Sequence, residues 1–191
     1  MGIEHKYARV EWERRFLLAQ FPAAANIVRV RRLSDRYITG TGLRLREIAG
    51  DGEESVFKLT QKLPERNGGA RQGLITTMRL SSHEFALLAQ LPASTLTKTR
   101  HSMPPFGIDV FDGELSGLVL AEAEFDSEDE AAKLTIPAFV VREVTDDHRF
   151  TGGNLVAASR EELVRWLQEY GIQIPCSDRV ATTVSAEPVT I

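Results

Sequence analysis

The segment 118-LVLAEAEFDSEDE-130 opens with an alternation of apolar and acidic residues that puts Glu122 and Glu124 on one side of an extended chain and Ala121, Ala123 and Phe125 on the other. Successive side chains of a β-strand point to opposite faces, so two like charges two residues apart share a face. The pattern recurs along the chain. Glu11, Glu13 and Arg15 alternate with Trp12, Arg14 and Phe16; Arg44 and Arg46 with Leu43 and Leu45; Lys58, Thr60 and Lys62 with Phe57 and Leu59. Lys98 and Arg100 share one face, and Asp109 stands between Ile108 and Val110. A solvated sheet face also alternates charged and apolar residues, which accounts for any single strand. It accounts less well for the set, because most of these faces carry one sign only, without interspersed Ser, Thr, Gln or Asn.

If the sheet closes into a barrel, these faces line a lumen. That lumen would hold seven cations (Arg15, Arg44, Arg46, Lys58, Lys62, Lys98, Arg100) and five carboxylates (Glu11, Glu13, Asp109, Glu122, Glu124). Like charges confined at reduced dielectric repel strongly, so the arrangement calls for a polyanionic ligand. The carboxylates are hard oxygen donors of the kind Mg²⁺ and Mn²⁺ prefer. Cations to grip several phosphates, beside acids to hold a metal against one of them, are the parts of phosphoryl transfer.

The remaining signals frame this picture. With 191 residues and 42% hydrophobic content, the chain is long enough for one well-buried core. We expect residues 1–175 to form a single tunnel domain and 176–191 a C-terminal tail without pattern. A net charge of −4 gives no overall pull toward double-stranded nucleic acid or an anionic membrane. The single cysteine, Cys176, excludes an internal disulfide and a thiolate metal cluster. No apolar run approaches the ~20 residues of a membrane span, and the N-terminus lacks a signal-peptide core, so the expected compartment is the cytoplasm.

Period-two patterning predicts strands near 9–18, 27–38, 42–48, 55–62, 73–80, 95–101, 106–112 and 117–126, with turn chemistry at Gly50-Asp51-Gly52, Asn67-Gly68-Gly69 and Asp112-Gly113. Capping-box spacing at Ser81/Glu84, Ser127/Glu130 and Ser159/Glu162 predicts three helices. The first carries Phe85, Leu88 and Leu91, the last Leu163, Trp166, Leu167 and Tyr170, each an apolar stripe expected to pack on something apolar. The layout is α+β and antiparallel; if the sheet closes, it would be an eight-stranded antiparallel barrel with helices packed outside it. His5, His83, His101 and His148 show no metal spacing and are read as surface or capping residues. Gly40-Thr41-Gly42 lacks the third glycine of a dinucleotide fingerprint.

Taken in order, 11-EWERRFL-17, 43-LRLR-46, 57-FKLTQK-62, 98-KTR-100, 106-FGIDVFDG-113, 118-LVLAEAEF-125 and 143-EVTDDHRFTGGNL-155 resemble the CYTH superfamily, the triphosphate tunnel metalloenzymes. The resemblance covers about residues 9–155. It implies a barrel that binds triphosphate with Mg²⁺ or Mn²⁺, and hydrolysis of inorganic triphosphate or another small-molecule triphosphate or polyphosphate; a homodimer is compatible with it. Glu11, Glu13, Glu122 and Glu124 would serve as metal ligands, with Asp109 in the acidic position of its strand. Arg44, Arg46, Lys62, Lys98 and Arg100 would bind phosphate oxygens, with Lys58 beside them and Arg71 at the position of a further arginine. Glu11, Glu13 and Arg15 fall on the family's ExExK signature and would be catalytic.

Three departures stand out. Arg15 replaces a lysine, and a planar, always-charged guanidinium is not equivalent to an ammonium. Strand 73–80 offers Ile75, Thr77 and Arg79 where many relatives carry glutamates, and Gly107 and Val110 replace further acids. A triphosphate-binding module without turnover and a class IV adenylyl cyclase are the alternatives.

Overall fold

The computed structural model describes residues 7–22, 26–50, 52–64 and 71–175, with the side chain of Arg71 outside that set. His5, Cys176, Asp51, the turn at 67–69 and the tail 176–191 also lie outside the described residues.

Eight strands form in the predicted places: β1 (Arg9–Leu18), β2 (Arg29–Ile38), β3 (Leu43–Gly50), β4 (Val56–Pro64), β5 (Arg71–Leu80), β6 (Ala93–Met103), β7 (Phe106–Phe111) and β8 (Val119–Phe125). Each pairs antiparallel with its neighbours in the order β5-β4-β3-β2-β6-β7-β8-β1, and β1 pairs with β5 to close the barrel. Closure leaves the inner face no route to solvent except through the ends. A two-residue strand, β9 (Arg142–Glu143), adds to β1 beside Phe16 and Leu17, on the side that β5 has left. The sequence pattern does not predict it, because two residues carry no periodicity.

Register fixes which side chains share the lumen. Arg15 lies opposite Glu122, Glu13 opposite Glu124, Arg100 opposite both Asp109 and Arg31, Asp35 opposite Arg46, and Arg46 opposite Lys58. One end of this inner face is apolar. Leu17, Leu96, Phe111 and Leu120 continue the faces of Arg15, Lys98, Asp109 and Glu122, and they cluster with Val144, Phe150, Leu155, Leu163, Leu167 and Ile172. The last two helices, α3 (Gly152–Leu155) and α4 (Arg160–Glu169), therefore sit outside the barrel but over its end, closing it. A Cβ on Gly152 would collide with the Tyr37 hydroxyl, so α3 starts hard against the barrel's inner wall.

The outer apolar face is a second core. Phe16, Leu18, Phe106, Ile108, Val119, Ala121 and Ala123 are covered by Leu134, Phe139 and Val140, which follow α2 (Glu128–Lys133). The reciprocal capping boxes form at Ser81/Glu84 and Ser159/Glu162. At Ser127 only half forms: its side chain accepts from the Glu130 N–H, while the Glu130 carboxylate accepts from Asp126 N–H at 3.1 Å. Helix α1 (Ser82–Leu88) departs from expectation, since none of its residues is buried and Leu91 lies beyond it, exposed. Its contact with the barrel is Phe85 on Phe57, ring centroids 4.5 Å apart. His101 is likewise no surface residue: it is half-buried on β6 and packs against Phe21, with ring centroids 4.6 Å apart and the planes tilted by 58°. No described helix is long and apolar enough to cross a membrane, which says nothing of strands.

Candidate active site

The lumen has two unlike walls. On the β1–β8–β7 side, acids and bases alternate and pair. Glu11 accepts from Lys62 Nζ at 2.7 Å, and Glu13 accepts from Arg15 Nη1 at 3.0 Å. Asp109, wholly buried, accepts from Lys98 Nζ and from Arg100 Nε and Nη2, the last two at 2.6 Å. The Arg100 guanidinium also donates to Glu122. It crosses β7 to do so at Gly107, where a Cβ would sit 3.2 Å from Arg100 Cδ and Nε. The glycine that the sequence shows in place of an acid thus makes room for a cation.

Electrostatics separate the two central carboxyls. Glu13 is pushed up to about 7 by burial and by the neighbouring charge of Glu122, against the pull of Lys62 and Arg15. For Glu122 burial acts in the same direction, but Lys98, Arg100, Arg15 and Lys62 outweigh it and hold its carboxyl well below the usual range. Glu13 and Glu122, diagonal neighbours on the paired strands β1 and β8, repel one another, and Glu122, with more cations around it, is the one that keeps its charge.

The β2–β5 side is cationic. Arg44, Arg46 and Lys58 face the lumen there, joined by Arg31 and Arg79. Burial and the charges of Arg46, Arg79, Arg31 and Arg44 lower the Lys58 ammonium from its ordinary value, and Lys58 has no carboxylate partner among the described residues. Burial and the charges of Arg29, Arg100 and Arg46 do the same to Arg31. The Nε atoms of Arg31 and Arg44 are buried without a hydrogen-bond partner. Against this row stands Asp35, 1% exposed, whose oxygens accept from Arg46 Nε at 2.5 Å and Nη2 at 2.6 Å.

The structure thus brings Glu11, Glu13, Arg15, Lys98, Arg100, Asp109 and Glu122 together on one wall and Arg44, Arg46 and Lys58 on the other, with Lys62 between them. Glu124 stands apart. It is 57% exposed at the end of β8 and pairs with Arg9 at 3.8 Å, so it belongs to the mouth, not to the inner cluster. Arg15 is less free than a phosphate ligand should be: besides Glu13, its Nη2 donates to Gln72 Oε1 at 3.0 Å and to the Thr145 carbonyl at 2.8 Å. Asp35, Arg31, Gln72 and Thr145 were not singled out in the sequence. Alternation within the predicted strand 27–38 was enough to find the first two; the neutral pair carried no signal.

The acids suit a divalent ion in kind, being hard oxygens with Glu13 and Glu122 in mutual repulsion that a cation would offset. They are not assembled around one: among the described residues no three His, Cys, Asp or Glu side chains converge as a metal site does. Each is instead held by a cation of the chain. Asp109, with both oxygens taken by Lys98 and Arg100, is a counterion rather than a free donor.

A closed antiparallel barrel whose lumen sets cations against carboxylates defines a class, the charged-tunnel barrels. No family model matches the chain. The inorganic triphosphatase of Nitrosomonas europaea is 34% identical over 149 residues, which span 73% of this chain and 92% of that protein. A crystal structure of an inorganic triphosphatase superposes over 78% of this chain and 95% of its own at 29% identity, with a TM-score of 0.52. The chain belongs to the CYTH superfamily of triphosphate tunnel proteins.

Proposed function

We propose that the chain is a metal-dependent phosphohydrolase acting on inorganic triphosphate or another triphosphate-bearing substrate held in the lumen. The observation that carries the reading is the excess of cations on the β2–β5 wall, where Lys58 and the Nε atoms of Arg31 and Arg44 lack partners that an anion would supply. The similarity to an inorganic triphosphatase supports the same substrate class.

In this reading Arg44, Arg46, Lys58, Lys98 and Arg100 bind the phosphate chain and neutralise its charge. The acids of β1 and β8 orient a water in line with the terminal phosphorus. The water oxygen forms the new P–O bond, the bridging oxygen leaves with diphosphate, and the proton passes to the acidic wall or to solvent. Glu11, Glu13 and Glu122 would hold a Mg²⁺ or Mn²⁺ ion, which would supply charge neutralisation at the phosphoryl oxygens.

The test is release of phosphate from tripolyphosphate with Mg²⁺, Mn²⁺ or EDTA, for the wild type and for Glu13→Gln combined with Glu122→Gln. Metal-dependent release that the double variant loses is expected. An inert wild type with either metal, or a double variant of full activity, refutes the reading. The lack of an assembled metal site among the described residues favours one second reading, a binder without turnover. Tight tripolyphosphate binding in EDTA with no product in metal identifies it.

A further inference from the structure

The cationic wall contains an acid that a phosphate grip would do better without. Among the described residues facing the lumen from β2 to β5, Asp35 is the one carboxylate, and it is almost wholly buried. Its charge cancels part of the field that would attract an anion. A buried ion pair is also weak evidence for stability, since desolvation consumes much of its Coulomb gain. Its geometry suggests what it does instead. Arg46 lies directly across from it on β3 and meets both oxygens side-on, through Nε and Nη2. A two-point contact fixes the plane of a guanidinium as well as its position. The remaining Nη1 edge is then turned away from Asp35. Arg44, opposite Tyr37, has its Nε 3.9 Å from the same carboxylate and no hydrogen-bond partner there. Burial opposes ionisation of Asp35, yet Arg46 and Arg44 outweigh it and hold the carboxyl below its ordinary value.

We infer that Asp35 is a positioning residue of the phosphate site: it holds the Arg46 guanidinium, with Arg44 beside it, in the orientation that presents their free N–H groups to an anion in the lumen. The inference rests on the proposed triphosphate site. Without Asp35 the adjacent cations would repel one another and take up other rotamers, and the grip would lose its shape while gaining net charge.

Those two effects have opposite signs, which makes the idea testable by titration calorimetry with tripolyphosphate in EDTA. Asp35→Asn keeps the side chain's shape and removes its charge. Positioning predicts that the variant binds about tenfold more weakly or worse, the scale of one charge-assisted hydrogen bond. Binding that is unchanged or tighter overturns the inference, because that is the result of merely removing a negative charge. The second arm repeats the substitution in an Arg46→Lys background, which keeps the charge but not the fork. There Asp35→Asn should change the dissociation constant by less than about threefold. An undiminished tenfold loss in that background means that Asp35 does not act through Arg46, and also overturns the inference. Circular dichroism and melting establish that each variant is folded. If Asp35→Asn is not, Asp35→Glu, which keeps the charge and displaces the fork, replaces it with the same expectations. A wild type that binds no tripolyphosphate refutes the phosphate site itself, a result distinct from a wild type and an Asp35→Asn variant that bind equally.

Discussion

Arg14 and Arg15 leave opposite faces of the barrel wall, yet both are anchored to one short strap. On the outer side Arg14 donates to Glu143 from Nε at 2.8 Å and Nη2 at 2.6 Å; on the inner side Arg15 donates to the Thr145 carbonyl. Thr145 ties the two together, accepting from the Arg15 N–H at 3.1 Å and donating to Glu143 at 2.7 Å. The strap therefore fixes the inner wall of the lumen from outside it.

Arginine at position 15 follows from this arrangement. Its guanidinium serves Glu13, Gln72 and Thr145 at once, and a single ammonium cannot reach all three acceptors. Arg15→Lys should cost about 1–3 kcal/mol of stability in urea denaturation, the range for lost hydrogen bonds to charged groups. Because these donors are committed to the protein, tripolyphosphate affinity should stay within about threefold of the wild type. A large loss of affinity at unchanged stability would make Arg15 a phosphate ligand instead.

Lys62 is the opposite case. Its side chain is 41% exposed, so its ion pair with Glu11 should contribute at most about 1 kcal/mol. Lys62→Met should leave the melting temperature nearly unchanged. If Lys62 turns from Glu11 to the phosphate chain, the same variant should bind tripolyphosphate about tenfold more weakly in calorimetry. Equal affinity would remove Lys62 from the grip.

Much of this was legible in the sequence, and the misses have physical reasons. Period-two alternation gave the strands and their lumen-facing sides, because that period is dictated by the backbone, whereas closure into a barrel came from the family resemblance. It gives the face but not the depth, so Glu124 and Glu122 read alike although β8 ends at Phe125 and leaves only Glu122 inside. Asp35 does not stand out because its chain neighbours Ser34 and Arg36 are polar, whereas the equally solitary Asp109 lies between Ile108 and Val110. Gln72 and Thr145 act through an amide oxygen and a carbonyl, which no charge pattern reveals. For α4 the stripe of Leu163 and Leu167 was plain, but periodicity cannot say which surface a stripe meets.

That surface is the barrel's end, and its energetic weight can be measured. Leu163 is fully buried in the cluster that joins α4 to Leu17, Leu96 and Leu120. Leu163→Ala should destabilise by about 2–5 kcal/mol, combining lost transfer energy with an unfilled cavity. Urea denaturation checks this. A cost below about 1 kcal/mol would mean that the closing helix contributes little to the fold.

The same closure carries a pH signature. Asp147, at the start of the turn before α3, accepts from Arg149 Nη2 at 2.7 Å and from the Tyr170 hydroxyl at 2.8 Å, joining that turn to the end of α4. Burial opposes its ionisation, but the hydrogen bonds from Arg149 and Tyr170 outweigh it and lower the carboxyl from its ordinary 3.8. A carboxyl whose folded value is depressed binds fewer protons folded than unfolded. It therefore adds stability that is fully present above the unfolded value and is lost as pH falls through the folded one. Asp147→Asn should melt below the wild type at pH 7, and the gap should close as the pH is taken below about 4. Melting curves of both proteins between about pH 7 and pH 2 decide it; a gap that persists undiminished to the acid end would show that the Asp147 charge is not what holds the closing segment in place.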